Sequence, residues 1–301
     1  MDDATTLLCG GTGELGGAVA RHLHAREVSF RALVRSGSDA RTLASLGASI
    51  VRGDVRDPAS LVGALEGITV VVTTVNAIGR LLGGSRDLSI RDVDERGNAN
   101  LIGAAEAAGV ERFVFVSMLG DHAAAHTPFT DAKAATEARL RVSRVHEVIV
   151  RPDAFQEVWL GPAGGFDVAR GSVRVFGKGL ARRRHVAIDD VAEAIVRVVL
   201  ADDPPRTLDL AGPEALSANE AIVLFERALG RPLRTSHVPR AALVAGRILL
   251  RPVKPELASI MGMALAGDLA DTAEGDDGFR SLGIEPRPAS AWIVSATSAP
   301  A

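Results

Sequence analysis

Thr5-Thr6-Leu7-Leu8-Cys9-Gly10-Gly11-Thr12-Gly13-Glu14-Leu15-Gly16 is the stretch from which the fold is read. Its first five residues are apolar or β-branched, as a short strand requires, and glycine dominates the turn that follows. Beyond the turn, Leu15, Val19 and Leu23 recur every fourth residue, on one stripe of a helix. Gly10, Gly13 and Gly16 are therefore spaced G-x-x-G-x-x-G between a strand and a helix. A dinucleotide needs glycine at such a junction, because the backbone must turn tightly and approach a pyrophosphate with no Cβ in the way. The helix start then offers N–H groups and the positive end of its dipole to the phosphates.

Working outward, Val28, Phe30 and Ala32 alternate with Ser29 and Arg31, which predicts a second strand ending near Val34-Arg35. Ser49-Ile50-Val51 predicts a third, leading to Gly53-Asp54. Asp57-Pro58 reads as a helix start, with Leu61 and Leu65 behind it and Gly67 as its C-cap. Ile68 to Val75 is an unbroken apolar and β-branched run, the mark of a strand covered on both faces. Ala77 to Arg91 reads as a loop, Val93 to Ala108 as a helix stopped by Gly109, and Phe113 to Ser117 as another buried strand. A polar, alanine-rich helix is expected from Asp131 to Val142, and a strand from Glu147 to Val150 ahead of Arg151-Pro152. Strands alternating with helices at this spacing imply an α/β fold with a doubly wound parallel sheet.

After about residue 155 the rhythm loosens. Ser172 to Phe176 and Thr207 to Leu210 read as strands. Helices are expected from Val191 to Leu200 behind an Asp189 or Asp190 cap, from Ser217 to Leu229, from Pro239 to Leu250 and from Pro255 to Ala273. The expected division is a dinucleotide-binding core over residues 1–155 and a mixed part over residues 156–301. That second part would supply late sheet elements and a small, mainly helical substrate lobe, with Ser295 to Ala301 as a disordered tail.

Composition narrows the function classes. With 34 basic and 37 acidic residues the net charge is −3, which argues against the concentrated positive charge of a nucleic-acid or membrane-surface protein. One cysteine excludes an internal disulfide framework and a multi-cysteine metal site, and points to a reducing compartment. No apolar run approaches the roughly 18 residues of a membrane span, and Met1 to Leu8 is too short and acidic for a signal peptide. The expectation is a cytoplasmic protein with a small-molecule partner, no nucleic acid and no membrane, a homodimer being left open. Tyrosine is absent altogether, which removes phenol-based acid–base chemistry.

Arg35 stands 19 residues after Gly16, where an NAD enzyme places an acidic residue on the ribose hydroxyls. An arginine followed by Ser36 suits a 2′-phosphate, so NADP(H) is expected ahead of NAD(H). The alternative is a plain surface arginine at a strand end. Asp54 either bonds the adenine amino group or begins a turn with Asp57.

Gly10 to Gly16, Arg31-Ala32-Leu33-Val34-Arg35, Gly53-Asp54, Asp94 to Gly109, Phe113 to Ser117, Lys133, Arg151-Pro152 and Val186 to Ala192 follow the order seen in one family. Over about residues 5 to 293 the chain resembles the atypical short-chain dehydrogenases of the NmrA-like, NAD(P)H-binding kind. Leu210 to Ser217 is similar to that family's late strand and following helix. The resemblance implies a Rossmann core, a nicotinamide cofactor and a small C-terminal substrate lobe. It implies no particular substrate, because the family holds quinone and carbonyl reductases, biosynthetic tailoring enzymes and cofactor sensors without turnover. The candidate cofactor contacts are Gly10, Thr12, Gly13, Glu14, Leu15 and Gly16 in the loop and Arg35, Asp54 and Val55 after the second and third strands. Thr74 and Val75, Ser117, Lys133, Pro152 and Phe155 complete the set.

Short-chain dehydrogenases commonly use a serine, a tyrosine and a lysine four residues after the tyrosine, the lysine lowering the phenol pKa. Lys133 matches the lysine and Ser117 the serine, and these two are the catalytic candidates, but the tyrosine position is Phe129. Any proton must then come from Lys133, from a neighbour such as Asp131 or His122, or from water. The expected activity is NADP-dependent reduction of a small cyclic or aromatic carbonyl, quinone or enone. A non-catalytic NAD(P)H sensor fits the missing tyrosine equally.

The remaining features have plainer readings. His122 and His126 are four apart but lack an evident third ligand, so no metal is expected. Arg182-Arg183-Arg184-His185 reads as a solvated loop, with an anionic substrate as the sharper alternative. Phe155 and Trp159 either line an apolar pocket or pack the core, and Cys9 reads as a small buried apolar residue.

Overall fold

In a computed structural model of the chain, residues 5–120, 125–272 and 277–298 are described. The strands are β1 (Thr6–Cys9), β2 (Phe30–Val34), β3 (Ser49–Arg52), β4 (Val70–Thr73), β5 (Arg112–Val116), β6 (His146–Pro152), β7 (Phe166–Asp167), β8 (Ser172–Phe176), β9 (Arg182–Arg183), β10 (Thr207–Leu210), β11 (Leu216–Ser217) and β12 (Arg234–Val238). The longer helices are α1 (Glu14–Ala25), α2 (Asn98–Ala108), α3 (Pro128–Arg141), α4 (Ile188–Leu200), α5 (Ala218–Leu229), α6 (Arg240–Leu249), α7 (Pro255–Leu269) and α8 (Ala289–Ser298).

Among the described residues, seven strands form the main sheet in the order β10-β6-β5-β4-β1-β2-β3. Register is parallel throughout β3-β2-β1-β4-β5-β6, with Thr6 opposite both Phe30 and Val70. At β10 the Ile149 N–H donates to the Arg206 carbonyl and Asp153 N–H to Leu210, advancing together, so this strand is parallel as well. The order reverses beside β1, the kind of switch point that opens a ligand crevice at the carboxyl ends of the strands. This is the Rossmann-type α/β fold expected from the alternation of strands and helices.

The described chain forms two compact units: Met1–Ser117 with Asp131–Arg151 and Val191–Leu208, and Met118–Thr130 with Pro152–Asp190 and Asp209–Ala301. The first is built on Leu7, Cys9, Val71, Leu101, Ile102, Phe113, Phe115 and Ile149, all buried between sheet and helices. Burial pushes the Cys9 thiol up to about 12, so it remains a protonated apolar side chain. The second has its own core of Phe166, Val173, Val175, Phe225 and Ile293, with Phe225 set edge-on to Trp292 at 6.5 Å.

Several local readings change. All of β2 is buried, including Arg31, whose guanidinium donates to the carbonyls of Ala64 and Glu66 at 2.9 Å. A cation is tolerated there because backbone oxygens at a chain turn replace its water. The helix after Asp57 is only Ala59–Val62, and Gly67 lies beyond its end although it does take a left-handed φ of 75°. The segment after Ala77 contains a short helix, Ile78–Leu82. The helix expected from Val93 opens instead as a π-helical turn, Arg91–Gly97, before α2.

In the second unit a three-stranded sheet, β12-β8-β7, accompanies the helices, and β12 was missed because Arg234-Thr235-Ser236-His237 is nearly all exposed. Helix α4 starts at Ile188, so neither Asp189 nor Asp190 caps it, and both carboxylates bind Arg287. Ser217 does cap α5, in a capping box with Glu220. The expected tail is helical as far as Ser298, where Ile293 anchors α8 in the core.

Candidate functional site

The glycine turn is held from below by its neighbours. Gly10 sits at φ 91°, and a Cβ there would lie 2.5 Å from Thr74 Oγ1. That hydroxyl reaches the carbonyls of Cys9 and Gly10 at 3.3 and 3.4 Å. A Cβ at Gly16 would run into the Gly10 carbonyl, so α1 can approach β1 this closely only with glycine. A Cβ at Gly13 would meet only the Gly10 oxygen, at 3.4 Å, so this glycine's outer side is open. Among the described residues no side chain caps α1, whose start is exposed at Thr12, Gly13 and Glu14, with Leu15 half-buried. The cradle fits a dinucleotide pyrophosphate: the open space is on the outside, where a phosphate would approach, and the tight packing is on the inside.

Arg35 follows β2, half-buried, and its guanidinium donates to Ser38 Oγ at 3.2 Å while meeting no carboxylate among the described residues. Arg52 donates to the carbonyls of Arg35 and Ser38, which stiffens this basic loop. Asp54 accepts from the Arg56 guanidinium at 2.7 Å and opens a turn to Asp57. The Val55 side chain is buried in the core beneath Gly97, and its carbonyl accepts from Asn100. Val75 packs against the same core, and its N–H reaches Thr73 Oγ1.

A polar cluster lies at the carboxyl ends of β4 and β5. Lys133, from α3, is buried; Nζ donates to the Val116 carbonyl at 2.6 Å and stands 4.8 Å from the centre of the Phe115 ring. Burial pulls its ammonium down to about 8, against the attraction of Asp94 and Glu137. Ser117 Oγ donates to Glu137 Oε1 at 2.6 Å, so its proton is already committed. Glu137 also accepts from Arg141 at 2.7 Å and from Arg151. Asp94, in the π-helical turn, accepts from the Ala77 N–H at 2.9 Å with Oδ2, and its buried Oδ1 has no hydrogen-bond partner among the described residues. Burial raises this carboxyl to about 6, offset in part by Lys133.

Asp94 and Glu137 were not among the sequence candidates. Glu137 follows Lys133 by one helical turn on a helix that reads as solvated, and only tertiary packing shows that this row faces inward. Glu137→Ala should destabilise the protein by about 2 kcal/mol in urea unfolding: a buried carboxylate that accepts from Ser117, Arg141 and Arg151 is lost, while both arginines keep partial access to water.

The other candidates belong to the second unit or lie elsewhere. Pro152 is buried at the end of β6, its carbonyl accepting from the Leu119 N–H, and half-buried Phe155 forms a backbone bridge with Val186. Phe129 is in the first turn of α3, half-buried, its N–H on Ser259 Oγ at 3.3 Å. Asp131 is half-buried, His126 is exposed, and Asp121 and His122 lie outside the described residues.

The arginine run is not a solvated loop. Arg182 pairs with Glu220, Arg183 with buried Asp153, and Arg184 donates to the carbonyls of Gly212 and Pro213. His185 is buried, which depresses its pKa to about 4. These cations hold the second unit together.

The comparisons agree with this geometry. A family model described as NAD(P)H-binding matches residues 10–202, from the glycine turn to the end of α4. The chain is 34% identical over 238 residues to the photosystem II assembly factor Ycf39 of Synechocystis sp., covering 79% of this chain and 71% of that one. It is 29% identical over 230 residues to the NAD(P)H azoreductase of Xenophilus azovorans, covering 76% and 75%. The NADPH complex of the quinone oxidoreductase QOR2 from Escherichia coli shares the fold, with a TM-score of 0.77, 19% identity, and coverage of 97% and 99%. With the glycine cradle at the switch point and a family match over most of the sheet, the chain belongs to the NmrA-like, NAD(P)H-binding family of atypical short-chain dehydrogenases.

Proposed function

We propose that the chain is an NADP(H)-dependent reductase of a small cyclic or aromatic carbonyl, quinone or conjugated alkene, with Lys133 supplying the proton or positive charge that tyrosine supplies in typical members. One observation carries this reading: Lys133 is a buried lysine at the carboxyl edge of the sheet, held near a pKa of about 8 in a chain with no tyrosine. Such a group is protonated at neutral pH and still gives up its proton readily. Bound NADPH supplies the hydride.

The cradle of Gly10, Gly13 and Gly16 with the start of α1 holds the pyrophosphate, and Arg35 with the Ser36–Ser38 loop holds the 2′-phosphate. Lys133, on α3, presents its ammonium at the end of β5, oriented by the Val116 carbonyl. Ser117, whose hydroxyl donates its hydrogen bond to Glu137, is left to accept one and orients a donor. Relatives named as NAD(P)H-dependent reductases support the assignment.

Purified protein tested against a panel of quinones and enones should oxidise NADPH. The rate should fall as pH rises through about 8, where Lys133 loses its proton. Cofactor binding with no turnover of any compound would favour a sensor, a reading that Phe129 and the committed Ser117 proton also suit.

At equal concentration NADPH should raise the melting temperature more than NADH, since a ligand that binds only the folded state stabilises it according to its affinity. Arg35→Asp should reverse the preference by about tenfold or more, replacing a charge-assisted contact with repulsion. Equal protection by the two cofactors in parent and variant would remove Arg35 from the site.

A further inference from the structure

A π-helical turn is a rare departure from the regular helix, met most often at functional sites, and one carries Asp94. The residue is 1% exposed. Its Oδ2 accepts from the Ala77 N–H at 2.9 Å, and its backbone carbonyl accepts from Asn98 Nδ2 at 2.8 Å. Oδ1 is buried and accepts from nothing among the described residues. One oxygen would serve Ala77, and an asparagine would supply it without bringing a charge into the core. The carboxylate charge therefore answers to something other than the Ala77 bond.

Helix α3 supplies the counterpart. Thr136, three residues after Lys133 on the same face, donates towards the Asp94 carbonyl at 3.4 Å, so the row that carries Lys133 packs on this turn. On the side of β5, Lys133 meets the Val116 carbonyl and the Phe115 ring. The charged groups acting on it are Asp94 from the π-helical turn and Glu137 on its own helix, Asp94 the more strongly. Glu137 is already shared with Arg141 and Arg151, whereas the cation acting on Asp94 is Lys133.

We infer that Asp94 is a positioning residue for Lys133: the charge of its buried carboxylate keeps a proton on an ammonium that burial alone would strip. The purpose of that proton, to be held ready for a substrate, rests on the reductase reading above; the coupling itself does not.

Lys133, Lys178 and Lys254 are the lysines of the chain, so full-length protein labelled with carbon-13 at lysine Cε gives a spectrum in which the Lys133 signal is the one lost in Lys133→Met. In the parent this signal should titrate at about 8. Asp94→Asn keeps an acceptor for Ala77 and removes the charge, so Lys133 should lose about tenfold or more in proton affinity. Coupling is reciprocal, so Lys133→Met should raise the proton affinity of the Asp94 carboxyl, followed at its Cγ, by the same factor. That second measurement decides the matter even where Asp94→Asn fails to fold. On the reductase reading, the rate of Asp94→Asn should begin to fall about one pH unit earlier than that of the parent, with KM little changed. A Lys133 midpoint within about twofold of the parent's in Asp94→Asn, or an Asp94 carboxyl indifferent to Lys133→Met, would overturn the inference and leave Asp94 as a buried brace for Ala77. Shifted midpoints in a protein that turns nothing over would uphold the coupling and overturn the reductase reading instead.

Discussion

Gly13→Val should abolish NADPH binding, raising the dissociation constant at least a hundredfold, while the protein stays folded. The two consequences separate because of where the space lies. Gly13 has an ordinary φ of −88°, and its Cβ would meet only the Gly10 oxygen at 3.4 Å, so the fold loses about 1 kcal/mol or less at a helix cap. The branched side chain would stand where the pyrophosphate must approach the backbone. Isothermal titration with NADPH, alongside urea unfolding, checks both halves. Normal binding by the variant would reduce the motif to a structural turn. Gly16 does not allow this separation, since any side chain there strikes the backbone of Gly10 and pushes α1 off the sheet.

Lys133→Met should lower the turnover of any quinone or enone that the parent reduces by two to three orders of magnitude, on the order of a general acid's contribution. Methionine keeps the length and much of the volume, so packing over Phe115 is largely preserved. The loss of rate should come with loss of the pH dependence near 8. Stability should move the other way. Burial lowers the folded-state pKa of Lys133 below its ordinary value, so the protonated form costs stability at every pH below about 8, and the cost is relieved as pH rises from there towards 10.5. The variant should therefore be at least as stable as the parent at pH 7, and its stability should vary less with pH over that window. A variant that keeps the parental rate and its pH profile would remove Lys133 from the chemistry. One that loses rate and also unfolds would show the lysine to be a structural cation bound to Val116.

The strands and turns of the parallel core were legible because they rest on local signals, whereas their order in the sheet came only from the structure. The unbroken run at Ile68–Val75, the glycine turn after Cys9 and the stop at Gly109 are each decided by residues close together in the chain. The second unit was less legible. Strand β12 has an almost wholly exposed pattern and exists because its backbone pairs with β8, from Arg234 opposite Ser172 to Val238 opposite Phe176. The arginines of 182–184 read as solvated because their partners, Asp153 and Glu220, are some 30 and 38 residues away.

The sequence by itself determined the fold class, the glycine turn and the absence of tyrosine, since residue type and local spacing carry these, and the resemblance of its motifs pointed to the family. Tertiary structure decided which charges are buried. Lys133, Glu137 and Asp94 lie on helical segments whose local pattern does not distinguish a solvated row from an inward one. Their burial, and with it the shifted ionisation of Lys133 and Asp94, follows from helix packing at the carboxyl ends of β4 and β5. There the low dielectric acts on the charges only after distant parts of the chain have met.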